Sequence, residues 1–550
     1  MRKSYFVVLL VLFVVGIAIS DTVTVQGDAY LEGSTNHAGI KVLFRRIAPF
    51  AFVDSTTTNS SGHYTKQIPK GVYNIIFSKT GYKTDSLFSQ SIYSSLTLPN
   101  ITLRYIGLSG NIRGTIGPGI YRVGSTIIVP RGETLIVRPG TRFEFANGSG
   151  LIVYGTLIAE GLWSNKIFFL SDSASAGWGG ISFNEAEDCI LYNCIITDVN
   201  GMAITMHYTD NLTIDKCEIL YNKGGIRISE SYNVLVARTK IVHNTGTVID
   251  AGVHTGVIFR RCLIAYNEVP YSAEGNVIVA NYSTTIENCI IVRNKSHLGA
   301  CVFIGSGAKL INSVVAFNDV EIAIKNFVSD TSLDYPAIIN SIIAYNTHWG
   351  AWGNIRPYYC DFWQNGSGNF FDLPSWIGTN VTVNANGDSC DALYNIQLDP
   401  MFVDTAMNDF HLQPASPCID AGAEYVILLT GDTIWSPDED YAGGRRPVRA
   451  TWDIGAYEFG AAGIEESYMK PSEFELAVYP NPFNSSCRIA VPRNSHIDIF
   501  DLSGRNVMST TSGEKSVVVW SPDESLPGGI YIVRVRNEYN TFVGKAFYMK

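Results

Sequence analysis

Apolar positions in the middle of the chain return in one outline: a small residue, apolar residues that alternate, and Asn five places after the start. It reads CEILYN ending at Asn222, TKIVHN at Asn244, CLIAYN at Asn267, CIIVRN at Asn294, SVVAFN at Asn318 and SIIAYN at Asn346. CIITDVN ends one residue late, at Asn200. The first residues, Cys194, Cys217, Thr239, Cys262, Cys289, Ser313 and Ser341, are spaced 23, 22, 23, 27, 24 and 28 apart. A period in the twenties marks a solenoid, and the short alternating copies predict strands rather than helices. Turns of such a coil stack about 4.8 Å apart, so a repeated position becomes a column of like neighbours. Small Cys, Thr and Ser fit an inward corner, while Ile219, Ile241, Ile264, Ile291, Val315 and Ile343 fill the tube. Asn is expected to take the left-handed bend and to hydrogen-bond to the Asn of the next turn.

Alternation of a different kind flanks the repeats. Residues 21–104 carry short strands (VTVQGDAYL, IKVLF, GHYTKQI, GVYNIIFSKTGY, SLTLPNITL) between Gly, Asn and Ser clusters, which predicts a small β-sandwich. The solenoid is assigned to 105–460, opening with Gly-cornered strands such as GLIVYGTLIAEG. A linker follows at 461–475, and residues 476–550 form a second small β-domain.

Of the 550 residues, 16% are charged, and the formal charge is −10, which argues against a nucleic-acid partner. Residues 1–20 place Arg2 and Lys3 before a short apolar run ending in small residues, the pattern of a signal peptide. The mature chain then holds no transmembrane segment, and export leaves the ten cysteines where disulfides are allowed. Four of them, Cys194, Cys217, Cys262 and Cys289, read as small core residues. Cys390 and Cys418 are the better candidates for a bridge.

Three resemblances follow from quoted residues. TNSSGHY at 58–64 and GVYNIIFSKTGY at 71–82 resemble the carboxypeptidase regulatory-like domain, an accessory module. Residues 106–458 resemble the right-handed parallel β-helix superfamily shared by pectate lyases and many surface proteins. Their closing run, IRPYYCDFWQNGSGNF at 355–370, LDPMFVD at 398–404, DFHLQPASPCIDAG at 409–422 and DEDYAGGRRPVRATWDIGAYEF at 438–459, is expected to finish the last turns. YPNPFN at 479–484, IFDLSGR at 499–505 and GGIYIVR at 528–534 resemble the type A sorting domain of the Por (type IX) secretion system. That resemblance implies the outer-membrane secretion machinery as a partner and a secreted or surface-bound product. The expected fold is thus all-β: a right-handed parallel β-helix between two small β-sandwiches.

No HExxH, Walker A, GxSxG or dinucleotide fingerprint occurs. Chemistry on such a coil is expected of outward side chains on neighbouring turns. Counting twelve back from each repeat start aligns Thr205, Arg227 and Asp250, with His207 and Glu230 on the same face. His207, Arg227, Glu230 and Asp250 would suit an acidic sugar chain, Arg holding a carboxylate and an acid or imidazole moving a proton. The plainer reading is a surface ion pair and an exposed ring. Asp319 with Glu321, and Asp361 with Asp372, are the remaining acid pairs. No cofactor is implied, with Ca2+ among Asp420, Asp438, Asp440, Asp453 and Glu458 as the open alternative. Trp349, Trp352, Tyr358, Tyr359, Phe362 and Trp363 are read as the closure of the solenoid end. Two functions remain: a surface protein binding glycan or another extracellular partner without catalysis, and a lyase or glycoside hydrolase acting on an acidic polysaccharide.

Overall fold

The computed structural model describes residues 21–549 apart from 33–35, 80–81, 105–106, 173–176, 253–254, 271–274, 327–334, 407, 464–475, 477, 480, 482, 484–485, 492–494, 514–516, 524 and 538–540. The signal-peptide segment and most of the linker lie outside the described residues. No helix occurs among the residues described. The chain divides into two compact units, 1–108 and 109–550.

In the first unit, Thr22–Leu31 pairs with His63–Pro69, Leu96–Thr97 and Ile101–Leu103. A second four-stranded sheet runs Phe52–Thr57, Lys41–Ala48, Gly71–Ser78, Asp85–Ile92. The period-two alternation of Gly71–Ser78 buries Tyr73, Ile75 and Phe77 in a core shared with Val25, Val42, Phe44 and Tyr64.

The second unit is built on a right-handed solenoid of about ten turns. Each full turn contributes a strand to each of three parallel sheets. The first sheet has eleven strands, among them Thr213–Asp215, Val234–Ala237 and Val257–Arg260. The repeated phrase forms the second, through Glu218–Leu220, Lys240–Val242, Leu263–Ala265, Ile290–Val292, Val314–Ala316 and Ile342–Ala344. The third includes Met202–His207, Gly224–Ser229 and Ile249–Ala251. Ile219, Ile241, Ile264, Ile291, Val315 and Ile343 stack inside the tube, each with no exposed surface.

Between the second and third sheets the asparagines form a ladder. Nδ2 of Asn222 donates to Oδ1 of Asn244 at 3.0 Å, and the bond recurs through Asn267, Asn294, Asn318, Asn346, Asn365 and Asn369. Up to Asn365, each Nδ2 also donates to a backbone carbonyl of the preceding turn, such as Asn267 to Ile241 at 2.9 Å. Each backbone N–H meets the next Oδ1. Buried bend groups that no strand partner reaches are thereby satisfied. Asn200 is outside the ladder: Val199 holds its place and donates its N–H to Asn222 Oδ1 at 2.9 Å.

The left-handed residue is not the Asn, as expected from sequence, but the one before it. Tyr221, His243, Tyr266, Arg293, Phe317 and Tyr345 have φ of 55 to 58°. Bulky residues there are strained by on the order of 1 kcal/mol each. Stacking compensates: Tyr221, His243 and Tyr266 are piled with centroids 5.3 Å apart and planes within 12°. Arg293 lies over Phe317, whose ring meets Tyr345 at 4.9 Å.

A second ladder runs along the small-residue corner. Cys194 N–H donates to Cys217 Sγ, Cys217 N–H to Thr239 Oγ1, Cys262 N–H to Cys289 Sγ, Cys289 N–H to Ser313 Oγ and Ser313 N–H to Ser341 Oγ, at 3.0–3.4 Å. The thiols also donate to carbonyls two residues back. These positions therefore need a small side chain that both accepts and donates, which Cys, Ser and Thr share. All ten cysteines are free and buried, Cys390 and Cys418 included, so the expected bridge does not form. Cys418 instead donates to the Asp361 carboxylate.

The first piece of the closing run, 355–370, finishes the coil, supplying its last strands; the rest does not. Within residues 390–459 the hairpin of Tyr425–Ile427 and Thr433–Trp435 packs on the first sheet, and most of the chain folds back along the outside of the second. There the outward phrase positions change from Glu218 and Lys240 to Leu263, Ala265, Ile290, Val292, Val314, Ala316, Ile342 and Ala344. Those eight pack under Cys390, Ile396, Phe402, Phe410, Leu412, Cys418, Tyr441, Ile454 and Tyr457. A sheet apolar on both faces is the reason the phrase loses its charges in its later copies. The described solenoid ends with an overlooked copy, CDFWQN at 360–365, and the strand Gly368–Phe371.

Replacing Asn267 by Ala should orphan the Asn244 N–H and remove the amide that reaches the Ile241 carbonyl, while Asn244 Nδ2 keeps its bonds to the Ile219 and Val242 carbonyls. A loss of about 3 kcal/mol in urea unfolding is expected, with a smaller loss for Asn222→Ala at the first rung. Burial pushes the His243 imidazole down from 6.5 to about 4. Between those values the folded chain holds fewer protons than the unfolded one, so this contribution is complete above about pH 6.5 and falls away as pH drops toward 4. His243→Phe, which keeps a ring in the stack, should flatten that decline; the difference between the two stability–pH curves measures it.

Candidate functional site

The outer face of the third sheet is where the unrepeated side chains line up. Strand pairing sets Thr205 opposite Arg227 and Arg227 opposite Asp250. The column continues through Val279, Phe303, Lys325, Trp352 and Phe371. Its flanking residues Ile204, Met206, Ile226, Ile228, Ile249 and Ala251 point inward and are buried. A flat parallel wall thus presents one line of chemistry along the coil axis. Ser182 accepts from Thr205 Oγ1 at 2.9 Å, and Arg227 Nε donates to Asp250 Oδ2 at 2.8 Å. Higher up, Lys325 Nζ sits 4.5 Å from the centre of the Trp352 ring, which meets Phe371 at 5.7 Å.

Of the four residues singled out from sequence, the structure joins Arg227 and Asp250. His207, one column over, has Nδ1 3.0 Å from Ser229 Oγ, and its ring lies against Tyr208. Glu230 occupies the turn after the strand, at φ 48°. Lys325, Trp352 and Phe303 were not found by counting because loop insertions change the distance from each repeat start to the third sheet.

The other candidates separate. Asp319 pairs with Lys295 at 3.4 Å. Asp361 is fully buried and accepts from Leu398 N–H at 3.1 Å, burial holding its carboxyl well above the usual range, while Asp372 is exposed. Four of the five proposed calcium acids are occupied by the chain itself, and Asp438 contributes its carbonyl to the Arg446 N–H. Asp420 accepts from Ala450 and Thr451 N–H, Asp440 from Gly444 and Glu458, Asp453 from Asp420 and Phe459, and Glu458 from Val448 and Asp453. Their counterion is Arg446, fully buried, 3.2 Å from Glu458 Oε2 and donating to the carbonyls of Asp453 and Gly455. Burial, then the neighbouring Glu458, pushes Asp453 up to about 7. Among the described residues no three His, Cys, Asp or Glu side chains gather with metal-ligand spacing. Of the aromatic group, Phe362 fills the end of the tube against Phe370, Trp363 lies under the returning segment, and Tyr359 stacks on Tyr394. Trp352 belongs to the outer column.

The C-terminal domain supplies the remaining evidence. Asn481 donates to the Lys545 carbonyl and accepts from Phe547 N–H, while Phe483 packs on Trp520 and Tyr548. The opening motif is therefore pinned to the last strand. Residues 477–548 match the family described as secretion system C-terminal sorting domain, and residues 161–320 match right handed beta helix region. The chain is an exported β-helix protein.

The sorting domain directs this exported protein to secretion or cell-surface attachment through the type IX machinery. No helix among the described residues is long and apolar enough to cross a membrane. The domain rests on the first half of the second sheet. There Arg488 donates to the Ser171 carbonyl at 2.8 Å and pairs with Asp198 at 3.3 Å, while Leu476 and Phe542 meet Phe168 and Tyr221. No curated protein matches the chain. Similar solved structures include a cohesin–X-dockerin complex from Acetivibrio cellulolyticus (21% identity, TM-score 0.13), which the chain covers over 58% of that structure's length and 15% of its own. They also include the periplasmic alginate epimerase AlgG (10%, TM-score 0.25, 52% of this chain and 78% of that one). An alginate lyase from Paenibacillus sp. str. FPU-7 is a third (11%, TM-score 0.20, 44% and 92%). Scores this low carry no argument about activity.

Arg227 and Arg446 should respond to truncation by very different amounts. Arg227→Ala removes an exposed pair and should change unfolding free energy by less than about 1 kcal/mol. Arg446→Ala strands buried carboxylates and should cost about 3–5 kcal/mol; denaturant melts of the two variants check the contrast.

Proposed function

We propose that the exported protein binds an extended acidic glycan along the outer column of its third sheet and does not turn it over. The observation that carries this reading is the single line of Arg227, Asp250, Val279, Phe303, Lys325, Trp352 and Phe371 on consecutive turns. A linear ligand meets a linear array there. Rings offer faces for sugar stacking and the two cations offer partners for carboxylates. Against turnover, Asp250 is held by Arg227 and His207 by Ser229, so neither is aimed at a common reacting atom. The N-terminal unit, two four-stranded sheets around one core, serves in this reading as the carboxypeptidase regulatory-like accessory module that its sequence resembles.

Titration with polygalacturonate, with and without Ca2+, tests both halves. Binding should weaken about tenfold, some 1.4 kcal/mol, in Lys325→Ala plus Trp352→Ala, with no rise in absorbance from unsaturated products. Product formation that disappears in Arg227→Ala plus Asp250→Ala would replace binding with lyase action at that pair.

A further inference from the structure

The first unit has a sheet face that its own core does not explain. In the four-stranded sheet of Phe52–Thr57, Lys41–Ala48, Gly71–Ser78 and Asp85–Ile92, alternation turns Val42, Phe44, Tyr73, Ile75 and Phe77 into the core. The other face of a solvated antiparallel sheet should be polar. Here it carries Leu43, Ile47, Val53, Val72 and Ile76. Apolar surface is densest at one end. The turn 49–51 joins the first two strands there and holds Phe50, 75% exposed, beside Ile47 at 50% and Val53 at 59%. Ala48 pairs with Val72 and Gly71 with Ile92, so the chain leaves the sheet at that same end through Tyr93, 57% exposed.

Two guanidinium groups flank the tip without a carboxylate. Arg45, opposite Val53 on the neighbouring strand, is exposed, and among the described residues no acid meets it. Arg46 lies 5.6 Å from the centre of the Phe52 ring and donates to the carbonyls of Phe50 and Lys70, at 2.6 and 3.1 Å, which leaves its charge uncompensated. Three acids of the unit, Asp21, Asp28 and Asp54, are taken by Lys70, His63 and Lys66. A second copy set tip to tip by two-fold symmetry would bring like charges together. An apolar projection ringed by cations suits instead a layer that is apolar within and anionic at its surface.

We propose that the hairpin of residues 45–53 seats the exported protein on a lipid layer with phosphate headgroups. Phe50 and Ile47 enter the acyl boundary, Tyr93 rests at headgroup level, and Arg45 and Arg46 meet the phosphates. The sorting domain directs the chain to secretion or cell-surface attachment, and this contact holds it by the opposite end of the sequence. It stands or falls separately from glycan binding by the second unit.

Co-sedimentation with vesicles of phosphatidylglycerol and phosphatidylcholine in equal parts tests it, using the chain freed of residues 1–20, which would themselves partition. The wild type should sediment with the vesicles. Ile47→Ser plus Phe50→Ser should weaken partition about tenfold with an unchanged unfolding midpoint, since both side chains already face water. Arg45→Gln should weaken it about fivefold and flatten its decline with salt. Phe50→Trp should gain quenching by bromine-labelled acyl chains over the wild type. No wild-type sedimentation, equal partition of the double variant, equal binding to vesicles of phosphatidylcholine alone, or no added quenching would overturn the proposal. Loss of a dimer in the double variant with lipid binding intact, read by sedimentation velocity, would overturn it in favour of a second copy.

Discussion

Everything in the second unit rests on satisfying the backbone where the coil bends. At that corner the chain leaves one sheet for the next, and strand pairing cannot reach its buried N–H and carbonyl groups. The Asn amide is the one short side chain that carries two donors and a two-lone-pair acceptor on a planar frame. Stacked at one per turn, it serves the turn before and the turn after at once. The strain of a bulky left-handed neighbour is tolerated because that ladder and the ring stack beside it both fix the same corner.

The coil's walls differ in what covers them. The second sheet is covered along its length, first by the sorting domain around Arg488 and then by residues 390–459. Burial there explains the apolar outward residues of the later copies, and it removes that wall from contact with solvent. What stays open is the third sheet, with its axial column, while the last turns of the first lie under the hairpin that carries Val426 and Ile434. The sorting domain and the open column are thus kept on different walls of one coil.

Period and packing were legible in the sequence because they are repeated: Cys217, Ile219 and Asn222 mean the same thing in every turn. The pairing of Arg227 with Asp250 was legible for the same reason, since the turns between them have near-equal length. The copy at Cys360–Asn365 was not, because Asp361 and Phe362 stand where Ile or Val usually does; one anchors the returning segment and the other plugs the tube. Nor was the path of that segment, whose bonds to the coil, such as Arg261 Nε to the Tyr441 carbonyl, span as many as 180 residues. Trp352 and Lys325 escaped because insertions shift their register. Arg45 and Phe50 carry no motif at all, and only their neighbours in space distinguish them.

The small-residue ladder has a consequence for how such a chain matures. Every cysteine is buried, four of them bonded along the wall of the coil, and burial holds the Cys194 and Cys289 thiols far from ionisation. A polypeptide delivered into an oxidising space therefore reaches its final shape without waiting for any sulfur to find a mate. Its final shape is thus the same in reducing and oxidising surroundings, with no sulfur pairing to be shuffled.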